Sequence, residues 1–187
     1  EPGYQDMATK FFEHFLAIAR AMTGHDVERL GLWDETDGFF YDILHLPAGE
    51  SRLLKVRSLV GLIPLLAVET LEPDLLEQLP DFAQRMRWFI EHKSHLVRNL
   101  AGMEAEGEGQ RRLLSIVTRE RLVRLLGYML DEAEFLSPHG IRSVSRYHQA
   151  HPYHLDVDGR TFYIAYEPGV SRSDLFGGNS NWRGPVW

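Results

Sequence analysis

The chain is 187 residues long, with 44% hydrophobic residues, 25% charged residues and a formal net charge of −7. That acidic balance excludes the broad basic face that nucleic-acid phosphates require, and leaves neutral substrates open. There is no cysteine, so neither a disulfide framework nor a thiolate metal site can form, which is compatible with a reducing cytoplasm.

From Tyr4 to Met22, Met7, Phe11, Phe15, Ala19 and Met22 recur at helical spacing beside Phe12 and Leu16, and Gly24 is a fitting stop. A polar loop, Gly31 to Gly38, follows. Phe39 to Leu46 and Leu53 to Val56 flank Pro47-Ala48-Gly49 and predict a hairpin. Ser58 caps a predicted buried helix that runs to Glu69, kinked or restarted at Pro64. The longest apolar stretch, Leu59 to Val68, falls short of the roughly 18 residues of a membrane span and carries Gly61 and Pro64. Asp74 to Leu79 predicts a short helix, and Pro80 opens another that runs to about Lys93. Ala101 to Gln110 predicts an exposed loop. Thr118 caps a helix with Leu122, Leu125, Leu126, Met129 and Leu130 on its apolar face. Leu136 to Ser145 reads as a loop or short helix. Asp158-Gly159 between Tyr153–Val157 and Thr161–Tyr166 is a strong hairpin signal. The tail, from Gly177, is a loop rich in glycine and asparagine.

Three segments can carry chemistry. Trp33-Asp34 lies in an acidic aromatic loop that also holds Asp37, Tyr41 and Asp42; an indole face and a planar carboxylate are what sugar binding uses, and a plain turn is the other possibility. Asn181-Trp182-Arg183-Gly184-Pro185-Val186-Trp187 sets two indoles and a guanidinium beside glycines that let backbone approach a ligand; core packing of the tryptophans is its alternative. Leu136 to Ser145 can present Arg142 and Ser143 to a cleft, or serve as an ordinary helix entrance. The histidines carry less. His148, His151 and His154 are evenly spaced, but Pro152 interrupts them, and no metal site is assigned.

Taken in order, these blocks resemble glycoside hydrolase family 63. The tail from Asn181 to Trp187 is similar to the family signature, and Ser137-Pro138-His139-Gly140-Ile141-Arg142-Ser143-Val144-Ser145 resembles a second block. Leu32-Trp33-Asp34 through Asp42, and Lys55-Val56-Arg57-Ser58, resemble the bacterial branch in particular. Asn181 and His139 stand where the eukaryotic processing enzymes tend to have tyrosine, which points the same way.

The resemblance implies a mainly α fold, with residues 1–187 a segment of one (α/α)6 barrel, antiparallel helices packed as an arc, and small β-hairpins. It implies inverting hydrolysis of alpha-glucosides or related small glycosides, in which two carboxyls stand roughly 6.5–9.5 Å apart. Neither carboxylate has a matching position here, so the catalytic residues are unknown and the chain alone is expected to be inactive. The implied substrate-binding residues are Trp33, Asp34, Arg57, Arg142, Asn181, Trp182, Arg183 and Trp187. No cofactor or metal is implied. The expected partners are an oligosaccharide or small glycoside and the remainder of the parent barrel, with no nucleic acid and no membrane, in a cytoplasmic setting. The opening Glu1-Pro2-Gly3 and the stop at Trp187 read as the cut ends of a longer protein. Two other classes remain open: a noncatalytic carbohydrate-binding or helical interaction module, and a sugar epimerase or lyase.

Overall fold

The computed structural model describes residues 2–23, 30–46, 49–93, 97, 100, 103 and 107–167. They gather into two compact units, one drawn from 1–31 and 64–122, the other from 32–63 and 123–187. Among the described residues, no helix is long and apolar enough to cross a membrane.

The first unit is built on α1 (Pro2–Thr23) and α3 (Pro80–His92), which pack together. Phe12 sets its ring edge-on to Phe82 and Phe89, each 5.9 Å between centroids. Leu16, Ala19, Met86, Leu71, Leu114 and Ile116 complete the core, with Val97, Leu100 and Met103. Burying each large side chain contributes roughly 1.5–3 kcal/mol. The predicted stripe on α1 divides here. Phe12, Leu16 and Ala19 are buried, whereas Phe11 is 66% exposed and Met7 50% exposed. Neighbouring residues on a helix point about 100° apart, so one wide stripe cannot all face one core. Pro80 opens α3 as predicted, and the short helix predicted from Asp74 begins one residue earlier, at Pro73 (α2, Pro73–Gln78); in both the missing N–H costs nothing. Met103 is fully buried, which corrects the expectation of an exposed loop at that point; Glu104 and Glu106 lie outside the described residues.

Helix continuity fails across 58–69. The segment Leu59–Leu66 is a 3-10 helix containing Pro64. It is followed by a strand that we label β5 (Val68–Leu71), paired antiparallel with β6 (Arg112–Ser115). A short apolar run fits strand and helix equally by periodicity, and Pro64 removes a helical donor.

The second unit contains four ribbons. Strands β1 (Trp33–Asp34) and β2 (Phe39–Phe40) pair across the acidic loop, and β3 (Asp42–His45) pairs with β4 (Ser51–Leu54). After α4 (Arg119–Met129), β7 (Leu136–Ser137) turns back onto β8 (Gly140–Ile141), and β9 (Tyr153–Val157) pairs with β10 (Arg160–Ile164). The hairpins foreseen around residues 47–49 and at Asp158-Gly159 are present, but Phe39 and Phe40 pair with β1 and not with the later strand. Thr118 accepts a bond from the Arg121 N–H at 3.4 Å, as a cap would. On α4 only Leu125 is fully buried, while Leu122 stays exposed, as does Leu130 just after the helix. Phe39 is the hub, stacked on Phe135 at 5.9 Å and edge-on to Tyr128 at 5.4 Å.

The expectation of a mainly α segment of an (α/α)6 barrel is therefore corrected. The described residues combine helices with five separate two-stranded antiparallel sheets, a mixed fold with no arc of helical hairpins. The stretches expected as loops at 31–38 and 136–145 close instead into local ribbons, each needing only a short chain reversal to bring its strands together.

Two glycines should respond oppositely to alanine. A Cβ on Gly61 would lie 2.3 Å from Phe39 Cε1 and 2.4 Å from the Phe40 carbonyl oxygen, so Gly61→Ala should cost about 1–3 kcal/mol of stability. Gly127 lies in α4 with nothing within 4 Å of such a Cβ, and Gly127→Ala should add about 0.5–1 kcal/mol. Urea midpoints of the two variants, shifted down and up respectively, check both signs.

Candidate functional site

The second unit holds two linked polar clusters. The first is the loop between β1 and β2. Asp34 accepts the Asp37 N–H at 2.8 Å, and the Lys55 ammonium bridges Asp34 at 2.8 Å and Asp37 at 3.1 Å. The Asp37 N–H and then Lys55 hold the Asp34 carboxyl below the usual carboxylate range, and the two acids raise Lys55 in turn. The Tyr41 hydroxyl donates to Asp37, and burial first, then that carboxylate, push its pKa well above the ordinary tyrosine value. Gly38 has φ +69°, and any Cβ there would run into the Arg124 guanidinium, which donates to the carbonyls of Glu35 and Thr36. The loop needs glycine for both reasons.

The second cluster is centred on Arg57. Its guanidinium lies over the rings of Tyr128 and Tyr147, at 4.8 and 4.2 Å, and pairs with Glu134. Burial is the largest single influence and works against the Arg57 charge, but Glu134, Tyr41 and Tyr128 together outweigh it and the net shift is upward. The other oxygen of Glu134 accepts from the Ser145 hydroxyl. That hydroxyl also accepts the Tyr147 N–H at 3.0 Å, capping the 3-10 helix Arg146–Gln149. The backbone is tied in as well. The Arg57 carbonyl accepts from Ser145 N–H at 2.8 Å, and the Arg57 N–H donates to His148 Nε2 at 2.9 Å.

Arg142 is 7% exposed and acts as a clamp on its own loop, donating to the carbonyls of Glu132 at 3.0 Å, Glu134 at 3.3 Å and Leu136. Its Nε and the Ser143 hydroxyl are buried without a hydrogen-bond partner among the described residues.

Of the residues anticipated from sequence, Arg57 and Arg142 meet at Glu134, one on its carboxylate and the other on its carbonyl. Asp34 joins them through Lys55, two residues before Arg57. Trp33 is 8% exposed, with its ring against Phe40 at 4.9 Å and Arg124 over it at 5.7 Å, so it packs in the core. Asn181, Trp182, Arg183 and Trp187 lie outside the described residues. Sequence reasoning missed Glu134, Tyr128 and Tyr147, and weighed His148 only as a metal ligand. Only Ser145 and Lys55 stood inside blocks already singled out. Among the described residues, no three His, Asp or Glu side chains gather as metal ligands would, and the evenly spaced histidines do not converge.

Chemically, this is a binding and orienting arrangement. Glu134, Asp34 and Asp37 are each engaged by a cation, and the Asp34 carboxyl is held below its ordinary range.

No family model and no solved structure matches the chain. It is 47% identical over 199 aligned positions to the uncharacterized protein YMR196W of Saccharomyces cerevisiae, an alignment that covers all of this chain and 18% of that protein. The chain thus spans less than a fifth of the length of this relative.

Arg142→Ala should cost roughly 3 kcal/mol, because it strips a buried donor from three carbonyls at once. Arg142→Lys should recover only part of this, since the shorter lysine does not set its nitrogen where Arg142 Nη1 reaches all three carbonyls. Chemical unfolding of both variants measures the difference, and equal stability of Arg142→Ala and the parent would contradict the clamp.

Proposed function

We propose that this chain supplies substrate-binding loops of a glycoside hydrolase that acts on alpha-glucosides or related small glycosides by inversion, with the catalytic Asp and Glu outside these residues. The observation that carries the reading is the meeting of Arg57 and Arg142 at Glu134, since the two arginines come from separate blocks that each resemble the same enzyme family. A guanidinium clamped between aromatic faces is rigid enough to orient a sugar hydroxyl or a neighbouring carboxylate. The engaged state of Glu134, Asp34 and Asp37 supports placing the acid and base elsewhere. The length of the yeast relative leaves ample room for them. The partners in this proposal are an oligosaccharide or small glycoside and further parts of the same enzyme. A cytoplasmic setting belongs to the proposal too, supported by the bacterial-type blocks and the lack of cysteine.

The test compares this 187-residue chain with the full-length yeast relative on an aryl alpha-glucoside, with the anomer of the released sugar followed by NMR. The relative should turn over and release the inverted anomer first, and the short chain should not turn over. Arg57→Met and Trp182→Ala should each weaken glucoside binding by roughly tenfold, about 1.4 kcal/mol. Turnover by the short chain would put the carboxylates inside it. Absence of turnover by the relative across a panel of alpha-glycosides would overturn the hydrolase reading, and binding without turnover would select a noncatalytic carbohydrate-binding module.

A further inference from the structure

We propose that His148 is an acid-sensitive latch: a proton taken from solvent onto Nε2 removes the acceptor of the Arg57 backbone N–H and frees the Arg57 segment from the chain around Ser145. The inference concerns control of the cluster and holds whatever ligand the cluster serves.

The geometry fixes the protonation state of the ring. His148 is 2% exposed. Its Nε2 faces a backbone N–H, which can only donate, and its Nδ1 lies 2.9 Å from the His151 carbonyl oxygen, which can only accept. Both contacts are satisfied by one species, the neutral ring with its hydrogen on Nδ1. A second proton on Nε2 would set two N–H groups against each other at hydrogen-bond distance, in a place where water cannot replace the lost bond.

The groups facing the ring come from three segments. The Arg57 charge opposes a proton, as does His151 when it is charged; Glu134 and the His151 carbonyl favour one; and the Tyr147 ring lies edge-on at 5.4 Å. Burial is the largest influence, and the net shift of His148 is downward from the ordinary 6.5. The sign follows from that shift. The opened chain takes the proton more readily than the closed one, so closure is at full strength above pH 6.5 and weakens as pH falls below it.

Release would propagate because Arg57 is held from four sides at once. Its N–H is on His148, its carbonyl on Ser145 N–H, its guanidinium on Glu134, and its π contacts on Tyr128 and Tyr147. Ser145 also caps the 3-10 helix that carries His148, so the helix and the Arg57 segment share their anchors. Losing the backbone bond therefore shifts a guanidinium whose position depends on its own backbone.

Two measurements on the 187-residue chain test this. In the first, hydrogen exchange read by NMR should show the protection factor of the Arg57 amide falling by up to about tenfold per pH unit as pH drops below 6.5, and levelling off once the closed form itself takes the proton. In the second, tyrosine near-ultraviolet circular dichroism should change over the same interval in the parent chain and in His151→Gln. It should stay flat in His148→Gln, whose side-chain carbonyl can accept the N–H but cannot take a proton. A protection factor independent of pH overturns the latch, and so does the same optical transition in His148→Gln. If that variant does not fold, the exchange result on the parent chain decides alone.

Discussion

The Arg57 guanidinium is a positive charge whose side chain is only 16% exposed, and much of the second unit is arranged around keeping it there. Taking such a charge out of water costs several kcal/mol unless partners replace the lost hydration. Here the replacement is complete in kind. A carboxylate supplies opposite charge, two aromatic faces supply their negative quadrupoles, and the backbone is bonded at both its donor and its acceptor. The strand-like contact of Ser58 with Val144 and the bond from Leu59 N–H to the Ser143 carbonyl extend the same seam by two residues.

An ion pair of this kind is a poor source of net stability, because its attraction is largely consumed by desolvation. What it does well is define position. Glu134 cannot move without leaving both Arg57 and Ser145 unpaired, and its carbonyl is held by Arg142 and by the Arg146 N–H. The apolar hub around Phe39 and Phe135 contributes burial; the polar seam next to it decides which way the loops run. This division explains why the four ribbons of the unit can be so short. Two-residue pairs such as β1 with β2 and β7 with β8 would not persist on ladder bonds alone. They persist because side chains on either side are tied to other segments.

How much of this was legible in the residues follows from how local each feature is. Asp158-Gly159 encodes its own turn, and Asp158 and Gly159 indeed take positive φ. Pro80 marks a helix start because its effect acts within one turn. The segment 58–69 misled, since an apolar run with β-branched residues satisfies helix and strand templates alike, and only the pairing of Val68–Leu71 with Arg112–Ser115 settles it. The mainly α expectation failed for a related reason. It joined helical stripes to a family architecture without accounting for the turn-rich stretches that close into ribbons. At the site, Arg57 and Arg142 were visible only through the order of blocks, not through their types. Glu134 had no signal and His148 none for its bond to Arg57, because their roles are created by contacts 77 and 91 positions away along the chain.

Tyr128 shows how the two polar clusters of the second unit become one. Its hydroxyl donates to the Asp37 carbonyl at 2.6 Å, and its ring face carries the Arg57 guanidinium. Tyr41, between β2 and β3, also reaches the loop, with its hydroxyl on the Asp37 carboxylate and its ring 5.3 Å from Phe39. The acidic loop is thus fixed by two phenols, one of which, Tyr128, also borders the Arg57 cation, and Lys55, only two residues from Arg57, closes the circuit on Asp34 and Asp37. Moving Arg57 disturbs a ring whose hydroxyl sets the loop, and moving the loop disturbs the ring that seats Arg57. Charge compensation at one arginine is in this way converted into the conformation of a loop that it does not touch.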